Sequence, residues 1–151
     1  MLKFQILTGS LLLVCGFAQA ETIPPICEGH FAVHYDDNHM KANPRQTVIE
    51  MQAKLSPGSE NLIIAVRLYN DRDAIQYSNN FACNANLLCT SAGESFADVQ
   101  LTKVNNQLKV ENKGLIQLYN QDEHARTVLI NNKGGDDVFL LNQLTTISDC
   151  T

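Results

Sequence analysis

The stretch "TVIEMQAKL", residues 47–55, decides the fold class. Ile49, Met51, Ala53 and Leu55 alternate with Val48, Glu50, Gln52 and Lys54. A period of two puts one set on a buried face and the other in water, which is the pattern of a half-buried strand. "SPGSEN" (56–61) then supplies turn chemistry. "LIIAVRLY" (62–69) follows and is apolar on both faces at first, as in a strand with neighbours on both sides.

The same rhythm runs through most of the chain. "HFAVHY" (30–35) sets Phe31, Val33 and Tyr35 against His30, Ala32 and His34. "AIQYSNNFAC", "NLLCT", "SFADVQLTKV", "LKV", "LIQLY", "RTVLI" and "VFLLNQL" are further short strand candidates. Asn-, Asp- and Gly-rich turns separate them. Residues 137–144 also admit a helix capped by an Asp, but Thr145, Thr146 and Ile147 favour a strand. The expectation is an all-β chain, a single antiparallel barrel or sandwich of roughly eight to ten short strands.

The N-terminal segment predicts export. Lys3 precedes an apolar run over residues 6–17, and Ala18-Gln19-Ala20 forms an A-x-A cleavage site. The run is too short to span a bilayer. Val14 stands before Cys15 where a lipoprotein signal needs a small residue, so Cys15 is expected to leave with the signal peptide. Residues 1–20 are then a cleaved signal and residues 21–151 one β-rich domain, periplasmic or secreted, with no membrane insertion after cleavage. Four cysteines remain, Cys27, Cys83, Cys89 and Cys150, an even number that reads as two disulfides. Three connectivities are possible. Cys83 and Cys89 enclose only "NANLL", and Cys27 and Cys150 lie at the two ends of the mature chain, so 83–89 with 27–150 is the preferred pairing.

Charge narrows the partners. Without Lys3 the mature chain carries 10 basic and 16 acidic residues, a net −6. No basic cluster occurs, which argues against nucleic acid. The expected partner is a protein or glycan outside the cytoplasm.

Four groups of residues are candidates for chemistry. His30 and His34 share a strand face, with His39 just beyond; imidazoles at this spacing suit zinc or copper. The acidic turns carry Asp36 and Asp37, Asp71 and Asp73, Asp122 and Glu123, and Asp136 and Asp137, a set suited to binding loops or to the carboxylates of a small hydrolase. Tyr69, Tyr77 and Tyr119 sit at strand ends or on short strands, where a ring stacks on sugars or anchors a protein. Ser91 and Ser95 flank Gly93, with His124 as a distant base. No G-x-S-x-G, phosphate loop or dinucleotide fingerprint occurs, and no cofactor is expected. The first reading is therefore a binding or accessory protein. A small secreted hydrolase and a metal-handling protein are the alternatives.

Two resemblances add to this. The spaced features Cys27, Cys83, "LLC" at 87–89, "GGDDVFLL" at 134–141 and Cys150 resemble those of small exported cystine-containing proteins of Gram-negative bacteria to which no activity is assigned. "TSAGESFADVQLTK" (90–103) is similar to the Ser-Gly…Tyr…Thr-Lys-Gly region of periplasmic C-type lysozyme inhibitors. That likeness implies an eight-stranded, disulfide-bonded barrel that blocks a cationic hydrolase, and the acidic charge of this chain suits such a partner. Phe96 stands in place of the family's Tyr and Val104 in place of its Gly, so no inhibitory residue is carried over.

Overall fold

A computed structural model describes residues 28–91, 98–120 and 126–145. Residues 1–20, where a signal peptide is expected, and Cys27, Cys150, Asp122, Glu123, His124, Gly93, Ser95 and Phe96 lie outside the described residues.

The fold is all-β, with ten antiparallel strands among the described residues: β1 (His30–His34), β2 (Val48–Leu55), β3 (Asn61–Leu68), β4 (Gln76–Cys83), β5 (Leu88–Ser91), β6 (Asp98–Val104), β7 (Gln107–Asn112), β8 (Leu115–Tyr119), β9 (Thr127–Asn131) and β10 (Val138–Gln143). Strands β1 to β7 pair in chain order and β10 bridges β7 back to β1. Because β3 pairs with both β2 and β4, these eight strands close into a barrel without an edge. β8 and β9 form an additional hairpin. The segment at 137–144 is indeed a strand.

Closure follows from the alternation. Phe31, Met51, Ala53, Leu55, Leu62, Ile64, Val66, Phe81, Val99, Leu101, Leu108, Val110, Phe139 and Leu141 point inward and form one buried cluster. Gln52, Lys54, Arg67 and Thr102 lie on the exposed outer face. Apolar-in and polar-out is the reverse of a membrane-spanning barrel. These inward side chains occupy the barrel interior as one cluster, as in other small barrels.

The structure departs from simple alternation in two places. On β2 the register shifts between Val48 and Glu50, so Val48 is buried and Ile49 only half-buried. A bulge inserts one residue and flips the faces on one side of it. On β3, Ile63 is 41 % exposed. The apolar run there reflects two strand neighbours, not cover on both faces.

Turn chemistry sets the ends. β6 and β7 join through a two-residue turn in which Asn105 takes φ 53°, a conformation Asn tolerates better than most residues. Gly29 has φ 81°, and a Cβ there would lie 2.2 Å from the Leu55 carbonyl oxygen. That oxygen's own residue donates its N–H to Gly29 O at 2.8 Å, so the start of β1 needs glycine for its close approach to β2.

Cys83 and Cys89 are directly opposed on β4 and β5 and form a disulfide across a Cα–Cα distance of 4.0 Å. This is the local bridge expected from "CNANLLC".

Candidate functional site

The two ends of the barrel differ. At one end the strands join through short turns, over 56–60, 84–87 and 105–106. At the other end lie the connections 35–47, 69–75 and 132–137, and there β5 ends and β6 begins. A short helix, α1 (Asp37–Ala42), stands in the first of these. The acidic turns at 35–38, 70–73 and 134–137 therefore share one end, the α1 end, since β1 and β3 finish there and β4 and β10 begin there. Loops of this kind on a rigid scaffold are where binding residues concentrate.

The β8–β9 hairpin closes this end. It leaves β7 at Asn112 and reaches β4, where Tyr119 lies opposite Ser78. Ile116, Leu118 and Ile130 turn inward and join the barrel core, with Val128 packed against it. Asn112 donates its Nδ2 to Ile130 O at 3.0 Å, and Asn79 donates to Gln117 O at 2.9 Å. The hairpin is a plug, and its outer face extends the loop surface.

Asp136 is the anchor of the α1 end. It is only 3 % exposed. Its carboxylate accepts the Thr47 N–H at 2.9 and 3.1 Å, the Val48 N–H at 3.1 Å and the Thr47 hydroxyl at 2.5 Å. Gly134 and Gly135, at φ 85° and 109°, make this possible. A Cβ on Gly134 would press on the Arg45 backbone at 3.0 Å, so two residues without side chains let the turn lie flat against 45–46 and hand Asp136 to Thr47. The sequence placed Asp136 among candidate binding loops, whereas the structure spends its carboxylate on holding two loops together.

A second chain of contacts orders the helix. Asp36 caps α1, accepting the His39 N–H at 2.7 Å, which satisfies one of the helix's free N–H groups. Met40 is buried beneath it. Gln46 donates its side-chain N–H to Val48 O at 2.8 Å. Its oxygen therefore faces His39 Nε2 at 3.0 Å, so that nitrogen carries the proton and donates. The His39 ring stacks on Tyr35, with centroids 4.3 Å apart.

The Tyr35 phenol is pushed above its ordinary range, first by burial and second by the nearby Asp136 charge. A folded pKa above the unfolded one means that this stabilisation is complete below about pH 10 and is lost as pH rises through the folded value. Titrating tyrosinate absorbance should show Tyr35 ionising later in the native than in the denatured chain. Tyr35→Phe should remove that late step; a titration unchanged by the substitution contradicts the assignment.

The remaining acids divide. Asp71 accepts the Asp73 N–H at 3.2 Å and the hydroxyl of buried Tyr77 at 3.3 Å. Tyr77 is thus a core residue and not the exposed ring its strand-end position suggests. Asp73 pairs with Arg126 at 3.0 Å. Asp37 and Asp137 are exposed. Lys41, Arg45, Arg72, Arg126 and Lys133 are exposed at the same end, so the rim is of mixed charge and not uniformly anionic. Tyr119 is 41 % exposed at the tip of the plug. Tyr69 is half-buried and lines a groove of about 340 Å³ with Met40, Lys41, Pro44, Gln46 and Asn70.

The histidines are not brought together. His30 and His34 stand at opposite ends of β1, roughly 13 Å apart by strand rise. His34 approaches Glu50 at 3.8 Å, and Glu50 already pairs with Arg67 at 3.1 Å. His30 lies beside Lys54, and its pKa is lowered by burial and then by that charge. Among the described residues no group of three or more His, Cys, Asp or Glu side chains converges as a metal site.

A second depression, of about 280 Å³, occupies the short-turn end. Its rim carries Ser59, Lys103, Asn105, Gln107 and Gln143 over a floor of Phe31 and Leu55, which are themselves almost fully covered. The α1 end is the candidate site because the longer connections of the described barrel gather there. Comparison with known proteins returned no family model, no curated protein and no solved structure that matches the chain.

Proposed function

We propose that the chain is an exported, non-catalytic binding protein whose α1 end engages a protein outside the cytoplasm, in its sharpest form as an inhibitor of a cationic hydrolase. One observation carries this reading: the long described connections 35–47, 69–75 and 132–137 leave the barrel at the same end. The filled interior leaves a ligand the ends and the outer wall. Asp37, Asp137, Tyr119 and the Tyr69 groove supply charge and aromatic surface there. β5 ends and β6 begins at this end too, and the likeness to C-type lysozyme inhibitors spans these two strands. An acidic chain gains association rate toward a cationic partner more than it gains affinity.

The test is calorimetric titration of the mature chain into an animal C-type lysozyme, with lytic activity followed in parallel. Saturable binding that weakens several-fold between about 50 and 200 mM salt is expected, together with loss of lysis. Asp37→Asn with Asp137→Asn should slow association and leave the fold unchanged. Absence of binding overturns the inhibitor form; binding of cell-wall glycan fragments in its place redirects the reading to a saccharide.

A further inference from the structure

We infer that β9 is a self-pairing edge through which two copies of this chain join in a continuous sheet. The barrel proper has no edge, but the plug does. Among the described residues β9 pairs only with β8. Asn120 donates to Arg126 O at 2.8 Å and Asn132 to Gly114 O at 3.0 Å. These bonds fix the phase of the ladder, in which bonded and non-bonded pairs alternate. The N–H and C=O groups of Thr127, Leu129 and Asn131 therefore point away from β8. All three residues are exposed, Leu129 by 54 %.

The edge lacks the usual protection. "TVLIN" contains no Lys, no Pro and no charge, and its pairing with β8 has no bulge. Natural edges of this composition are normally guarded by such devices or covered. Its outward groups are also symmetric about Leu129. A two-fold axis through that residue sets Leu129 against its own copy and Thr127 against Asn131, forming about six main-chain hydrogen bonds in phase. No like charges are opposed. The neighbouring cation, Arg126, is already paired with Asp73. The two Leu129 side chains meet on the outer face, beside Tyr119. A partner strand of unrelated sequence has no such built-in register, which favours a second copy. The contact is smaller than the roughly 1,200 Å² of a tight complex, so a reversible dimer with a micromolar Kd is expected.

Sedimentation velocity of the mature chain, from about 1 to 500 µM, tests this. The expected result is a shift from monomer to dimer across that range. Leu129→Lys places a charge against its own copy. Leu129→Pro removes an N–H that makes no bond within the hairpin and breaks the intermolecular ladder. Both variants should stay monomeric, with the melting temperature of the wild type checking the fold. A wild type that remains monomeric at 500 µM overturns the inference, as does a dimer that survives both substitutions.

Discussion

Replacing Asp136 with Ala is expected to destabilise the fold by about 3–5 kcal/mol. The carboxylate is buried and receives the Thr47 N–H, the Val48 N–H and the Thr47 hydroxyl. Hydrogen bonds to a charged acceptor are roughly twice as strong as neutral ones. Removing the acceptor also strands the buried Val48 N–H, and leaving a buried donor unsatisfied costs more than the net worth of its bond. Asp136→Asn should cost less, since one oxygen survives. Thr47→Val should cost about 1 kcal/mol, because only the hydroxyl is lost. Urea unfolding measures all three, and the Asp136–Thr47 double-mutant cycle should show coupling, as residues in one network do not add. A loss under 1 kcal/mol for Asp136→Ala would free that carboxylate for a ligand and restore it to the binding loops.

Reduction of the mature chain is the second large effect. The Cys83–Cys89 loop is short, so its closure stabilises by only about 2 kcal/mol. The larger share is expected from Cys27–Cys150. β1 and β10 are paired, and Leu144 donates to His30 O at 2.9 Å, so the first and last described strands share one seam. A bridge closing more than a hundred residues is worth about 4–5 kcal/mol by chain entropy. Together the two predict a fall in melting temperature of roughly 20 °C or more. Non-reduced intact mass should be four hydrogens below the reduced mass of residues 21–151. A deficit of two hydrogens, with a loss near 2 kcal/mol, would leave Cys83–Cys89 alone.

Much of this fold is legible in the chain because its cause is local. The alternation at 51–55, the Asn-rich turn at 105–107 and the seven-residue cystine loop each act through neighbours in sequence. The features that escape are those set by distant partners. Barrel closure depends on β10 reaching β1, and an inward-facing strand reads the same in a sandwich. Ile116 and Leu118 alternate like any wall strand, so nothing local marks β8 and β9 as a plug. The bulge at Val48 follows from pairing with β3. α1 has six residues, too few for a helical period to show. "GGDD" looks like a solvated turn until Gly134 and Gly135 are found against Arg45 and Gln46, with Asp136 turned inward. Among the candidate site residues, Asp37, Asp137 and Tyr119 are exposed and Tyr69 lines a groove, positions that strand ends and turn chemistry foreshadow. It passed over Gln46, Thr47 and Tyr35, whose roles come from contacts across the α1 end.

Hydrogen exchange of the mature chain with and without a C-type lysozyme locates the functional surface most directly. The account predicts added protection in residues 35–47, 69–75 and 132–137, with the short-turn end around Ser59, Lys103 and Gln143 unchanged. Protection confined to that opposite end, or none at either, would contradict it.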